Sequence, residues 1–132
     1  MTAKTMARVQ TLFAAGIVLW WAYFFAVARN DPASSAAYLA FESAFPLPDL
    51  VWLVPLLYTA ARANARGDAR SLLWTAASGG ALVFLGLLDV SFNLQNNIYT
   101  QSLTDGLLNG FINLACVGLG LWSIVWSKSR IA

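Results

Sequence analysis

The sequence predicts an all-α integral membrane protein: an antiparallel four-helix bundle with both termini cytoplasmic and a short interfacial segment after the first helix. Three observations predict it. Of 132 residues, 59% are hydrophobic and 11% are charged, where an ordinary soluble domain carries about 25% charged residues; there is too little polar surface to cover a water-soluble globule. Four apolar stretches, at about 9–28, 49–65, 71–93 and 104–126, approach the roughly 20 residues that a spanning helix needs. With short connections they fill nearly the whole chain as one transmembrane domain, 1–132. Finally, the cations sort to one side of those stretches.

The first span runs from about Val9 to Ala28, after Lys4 and Arg8. Ala26-Val27-Ala28 has the form of a signal-peptidase site, yet the apolar stretch exceeds the ~7 to 15 residues of a signal-peptide core, which predicts a retained signal anchor. Arg29-Asn30-Asp31-Pro32 and Pro46-Leu47-Pro48 break the chain, because proline disfavours helix for the residue before it. Between them, Ala36, Tyr38, Leu39, Phe41 and Phe45 predict a short helix along the interface, with Ser34 and Glu42 toward water. The second span starts near Asp49, whose carboxylate suits an N-cap. Pro55 leaves the carbonyl of Val51 without its usual partner, predicting a kink, and in lipid the freed carbonyl needs another donor. Arg62, near the end of that span, is expected to snorkel. A basic loop from Arg62 to Arg70 leads to the third span; the fourth runs from about Thr104 to Trp126 and is followed by Lys128 and Arg130.

Lys and Arg in short loops are retained in the cytoplasm. With the N-terminus inside, Lys4, Arg8, Arg62, Arg66, Arg70, Lys128 and Arg130 are cytoplasmic, and of the 8 cations Arg29 alone is outside. The acids do the opposite: Asp31, Glu42, Asp49, Asp89 and Asp105 fall at the outer end, Asp68 inside. Acids contribute little to topology, so their clustering asks for another cause. The single cysteine, Cys116, and the absence of histidine exclude a Cys/His zinc site, a Ser-His-Asp triad and a histidine proton shuttle; no catalytic residue, cofactor or metal is predicted. The cations form no stripe with interleaved aromatics, so nucleic acid is not an expected partner.

Asp89, Asn93 and Asn96 or Asn97 are spaced to share one face of the third helix if it continues that far, and Asp105, Asn109 and Asn113 repeat the spacing on the fourth. Amides and carboxylates exposed to lipid are costly, so both stripes are expected to face the bundle interior. They would line an outward-opening cleft whose rim carries Asp49, Glu42 and Asp31. In one reading the amides are interhelical glue, worth ~0.6 kcal/mol each on average, and the acids sit at the water boundary. In the other the cleft binds a cationic or lipid-like ligand, the carboxylates supplying charge and the amides orientation. Gly106 with Gly110, and Ala76 with Gly80, predict close helix packing. Trp74, Trp122, Trp126, Trp52 and Tyr99 form aromatic belts. Trp20 and Trp21 lie deeper, and whichever faces inward needs a partner for its indole N–H. Cys116 reads as a small buried residue.

Gly86-Leu87-Leu88-Asp89-Val90, continuing into Asn93-Leu94-Gln95-Asn96-Asn97-Ile98-Tyr99, with Phe45-Pro46-Leu47 before the second span, resembles a group of small bacterial four-helix membrane proteins of unassigned function. That resemblance implies a bacterial inner-membrane location. Asp49-Leu50-Val51 with Pro55 is similar to the EXPERA domains of sterol isomerases and sigma-type receptors, where an acid on the second helix faces an intramembrane pocket. It implies that Asp49 pairs with a ligand amine or handles a proton, with Asp31 as a second pocket acid. Two function classes follow: a membrane binding protein with an outward acidic cleft, with EXPERA-like isomerase activity open to it only through carboxylate acid/base chemistry, or an accessory subunit packing against another membrane protein or a second copy of itself, in contact with membrane lipids throughout.

Overall fold

The computed structural model describes residues Met1 to Ile131, and every element among them is helical; Ala132, the last residue of the predicted domain, lies outside the described residues. The order is α1 (Ala3–Ala26), a 3-10 turn (Ala28–Asn30), α2 (Ala36–Glu42), α3 (Pro46–Pro48), a π-helical turn (Asp49–Leu53), α4 (Val54–Arg66), α5 (Ser71–Gln95), α6 (Ile98–Gln101) and α7 (Leu103–Ile131). Four helical stretches, Ala3–Asn30, Ala36–Arg66, Ser71–Gln95 and Leu103–Ile131, are long and apolar enough to cross a membrane. Even the 25 residues of α5 extend about 38 Å, more than a ~30 Å hydrocarbon core. The chain divides into two compact units, Met1–Trp74 and the part from Thr75 onward.

In the first unit α1 packs on α4. Met6, Ala7, Gln10, Ala14, Trp21 and Phe24 are buried on α1, and Leu56, Leu57, Ala60, Ala61 and Asn64 on α4. Steps of three and four residues keep each set on one helix face, and the alanines let the two backbones come close. Helix α1 starts at Ala3, ahead of the predicted Val9, because Thr2 caps it by accepting the N–H of Thr5 at 3.2 Å. Hydropathy marks the apolar length of a helix, not its ends.

The segment before α4 departs from the prediction twice. Pro46 stands in the first turn of α3, where its missing N–H removes no helical hydrogen bond. The chain is therefore helical from Pro46 onward, and Asp49 lies inside the helical run and does not cap it. Pro55 is accommodated by a widened turn, in which the N–H of Val54 donates to the carbonyl of Asp49, five residues back. This places Pro55 in the first turn of α4, so the expected irregularity takes the form of a π-turn. Helix α4 ends at Gly67, whose φ of +67° is left-handed, while Asp68 N–H reaches the carbonyl of Ala63 at 3.0 Å; glycine adopts this stop without a Cβ clash. Asp68 then accepts the guanidinium of Arg70 at 2.9 and 3.2 Å and the Arg70 backbone N–H at 2.8 Å. The guanidinium and backbone hydrogen bonds from Arg70 hold the Asp68 carboxyl down at about 2.

In the second unit α5 and α7 meet at glycines. A Cβ on Gly79 would lie 2.7 Å from the carbonyl oxygen of Gly120, and one on Gly86 would lie 2.8 Å from Cγ2 of Val117 and 3.2 Å from Cβ of Cys116. The predicted pairing of Ala76 with Gly80 is corrected: Gly80 faces open space, and so does Gly110. Gly79, one residue earlier, shares the buried face with Thr75, Ser78 and Leu82. Gly106 is a contact point, since a Cβ there would lie 2.5 Å from the carbonyl oxygen of Tyr99; it seats α6 on α7.

Candidate functional site

Asp49 and Glu42 belong to the first unit. Asp49 opens the π-turn, and its Oδ2 accepts the indole N–H of Trp21 at 2.9 Å. Trp21 is 3% exposed and meets Phe24 edge-on, so Trp21 is the inward-facing tryptophan and Asp49 the partner that its N–H requires. Glu42, expected toward water, is buried instead. It follows Tyr38 and Leu39 by four and three residues, which puts it on their half-buried face, while Ala36, Ala37 and Ala40 take the exposed one. Asp31 is exposed and accepts the N–H of Ala33 at 2.9 Å; it shapes its own turn.

The remaining predicted residues lie in the second unit. Helix α5 ends at Gln95, and Asn97 turns left-handed with φ +55°, so the stripe on the third span stops at Asn93. Asn96 is exposed and donates from Nδ2 to the carbonyl of Phe92 at 3.0 Å, closing the end of its own helix. Asp89 is half-buried. Asn93 is fully enclosed, and neither its Nδ2 nor its Oδ1 has a hydrogen-bond partner in the protein.

On α7, Asp105 has a capping role. The hydroxyl of Ser102 donates to its Oδ2 at 2.6 Å and accepts its backbone N–H at 3.0 Å. A carboxylate in this first turn also suits the positive end of the helix dipole. Asn109 is buried and donates to the carbonyl of Asp105 at 3.0 Å. Asn113, 4% exposed, donates from Nδ2 to the hydroxyl of Tyr99, while its Oδ1 is without a partner. The contact of α6 with Gly106 sets Tyr99 within reach, two turns along α7. Asn93, Asn109 and Asn113 are thus buried, whereas Asn96 and Asp105 make hydrogen bonds at helix ends.

No family model, curated protein or solved structure matches the chain. The site is therefore read from its own geometry. Several inward polar residues were not anticipated. Gln10 and Asn64 are buried on facing helices, with Asn64 Nδ2 donating to Gln10 Oε1 at 3.0 Å. Tyr99, expected only as a belt aromatic, is a partner of Asn113. Thr75, Ser78, Ser123 and Ser127 are all buried. Their spacing by three or four residues was the available signal, and Gln10 stands out as the amide of an otherwise apolar first span.

Proposed function

We propose that this protein is a multi-pass protein of the bacterial inner membrane, an antiparallel four-helix bundle with both termini in the cytoplasm, whose outer end binds a cationic or lipid-like small molecule. Seven of the eight cations fall in the segments that this topology leaves in the cytoplasm, which supports the orientation. The contacts of Gly79 with Gly120 and of Gly86 with Val117 advance in opposite directions along α5 and α7. Extended by about one and two turns, that register would bring Asp89 level with Asn113 and Asn93 level with Asn109.

The observation that carries the reading is Asn93. An amide left unsatisfied inside a protein costs about 1–3 kcal/mol, and buried amides in folded proteins nearly always have partners. A ligand amine donating to Oδ1 of Asn93 and of Asn113 relieves that cost, with Asp89 as its counter-charge and the apolar helix walls taking its hydrocarbon part. Dodecylamine binding to the full chain in nanodiscs tests this. Loss of a charge-assisted hydrogen bond, about 1.5–3 kcal/mol, weakens Asn93→Leu by roughly tenfold or more relative to wild type. Equal affinities of wild type, Asn93→Leu and Asp89→Asn would refute it.

The hydrogen bond from Trp21 to Asp49 favours a second reading, in which Asp49 is the ligand's counter-charge, as the similarity to EXPERA domains implies. An amine that loses affinity with Asp49→Asn and not with Asn93→Leu would select it.

A further inference from the structure

We propose that a groove between the basic ends of α1 and α4 seats the phosphate headgroup of an anionic phospholipid. The groove encloses about 660 Å³ and is lined by Lys4, Arg8, Thr11 and Leu12 from α1 and by Tyr58 and Arg62 from α4, with alanines between them. Three cations converge on it and no carboxylate lines it. Lys4 and Arg8 are one helical turn apart on α1, and Tyr58 and Arg62 are one turn apart on α4, so the two helices present their polar groups to a shared trough.

The trough is preorganised. Arg62 donates from Nη1 to the Tyr58 hydroxyl at 3.0 Å, and its guanidinium stands 5.5 Å from the centre of the Tyr58 ring. That fixes the side chain while leaving other N–H groups of the fork for an oxyanion. The hydrogen bond between Asn64 and Gln10 ties α4 to α1 at the same level, next to Arg62 and between Arg8 and Thr11 in sequence. By contrast, Arg70 is committed to Asp68. Leu12, 73% exposed, lies one turn beyond Arg8, where an acyl chain follows the headgroup down. Orientation in the membrane requires cations at this end, but it does not require three of them to share one trough. Basic pockets between helices on the cytoplasmic side are a recurrent way of holding anionic lipid headgroups. The inference uses the membrane orientation proposed above and is independent of the outer amide site.

The experiment is native mass spectrometry of the full chain in detergent, offered equal amounts of phosphatidylglycerol and phosphatidylcholine with the same acyl chains. Wild type is expected to retain phosphatidylglycerol preferentially. R8Q/R62Q should lose much of that preference, by roughly fivefold per cation removed, and K4Q/R8Q/R62Q should lose more, while R66Q/R70Q, which removes as many cations as R8Q/R62Q but outside the trough, should keep it. All three trough cations are exposed, so their replacement leaves the core intact, and single R62Q gives a partial loss. The proposal is overturned if wild type shows no preference, or if R66Q/R70Q loses as much as R8Q/R62Q. It is also overturned if inorganic phosphate, but not chloride of equal ionic strength, strips the lipid completely, since a free anion would then be the occupant.

Discussion

Replacing Gly79 by alanine and comparing it with the same change at Gly80 tests the helix crossing at single-residue resolution. The added methyl at Gly79 would sit 2.7 Å from the Gly120 carbonyl oxygen, 3.0 Å from Ser123 Cβ and 3.1 Å from Ile124 Cγ1. Two of those atoms are backbone or the first atom of a side chain, so rotamer changes cannot relieve the clash and the helices must part. Overpacking of this kind costs about 1–3 kcal/mol, offset by up to about 1 kcal/mol from the better helix propensity of alanine. At Gly80 nothing lies within 4 Å, so only the propensity gain remains. Gly79→Ala should destabilise by up to about 2 kcal/mol and Gly80→Ala should be neutral or stabilising, a separation of about 2 kcal/mol. Reversible unfolding in mixed micelles with rising dodecyl sulfate, followed by the intrinsic tryptophan signal, measures both. If the two variants unfold together, or Gly80→Ala is the worse, the crossing does not run through Gly79 and Gly120.

Two further outcomes follow from the hydrogen bonds. Trp21→Phe keeps the buried ring and removes the donor to Asp49, so it should destabilise by about 1–3 kcal/mol; in a double-mutant cycle with Asp49→Leu the two losses should be less than additive, and strict additivity would deny the contact. Asp68 titrates near 2 because Arg70 donates to its carboxylate. Its folded value lies below the ordinary 3.8, so this contribution is complete above 3.8 and is lost as pH falls through about 2. Acid titration should therefore cost wild type more stability over that window than Asp68→Asn, and superimposable profiles would contradict the pairing.

Much of the helical layout was legible because hydrocarbon-length apolar runs and turn-forming residues are strong local signals. The short helix from Ala36 to Glu42 belongs to that class. What escaped were features set by rotation about a helix axis. Gly79 and Gly80 are equivalent in composition, and only the buried face through Thr75, Ser78 and Leu82 decides which of them meets α7. Glu42 was placed by its charge, although its position relative to Tyr38 and Leu39 put it on the covered side. Pro46 and Asp49 were read by local preference as breaker and cap, whereas a proline in the first turn starts a helix and a π-turn absorbs Pro55. At the candidate site, the inward amides Asn93, Asn109 and Asn113 followed from the cost of exposing them to lipid. The helix-end roles of Asn96 and Asp105 depended on where α5 stops and α7 begins, which periodicity does not mark.

The proposed site requires the amide faces of α5 and α7 to look at one another. Oxidative cross-linking in native membranes tests it directly, with cysteines replacing Asn93 and Asn109 in a Cys116→Ser background. Both positions are buried, whereas Leu94 and Leu108 beside them are 64% and 41% exposed. An intramolecular disulfide between positions 93 and 109, and none between 94 and 108, is the expected result. A bond that forms only between 94 and 108 would contradict it.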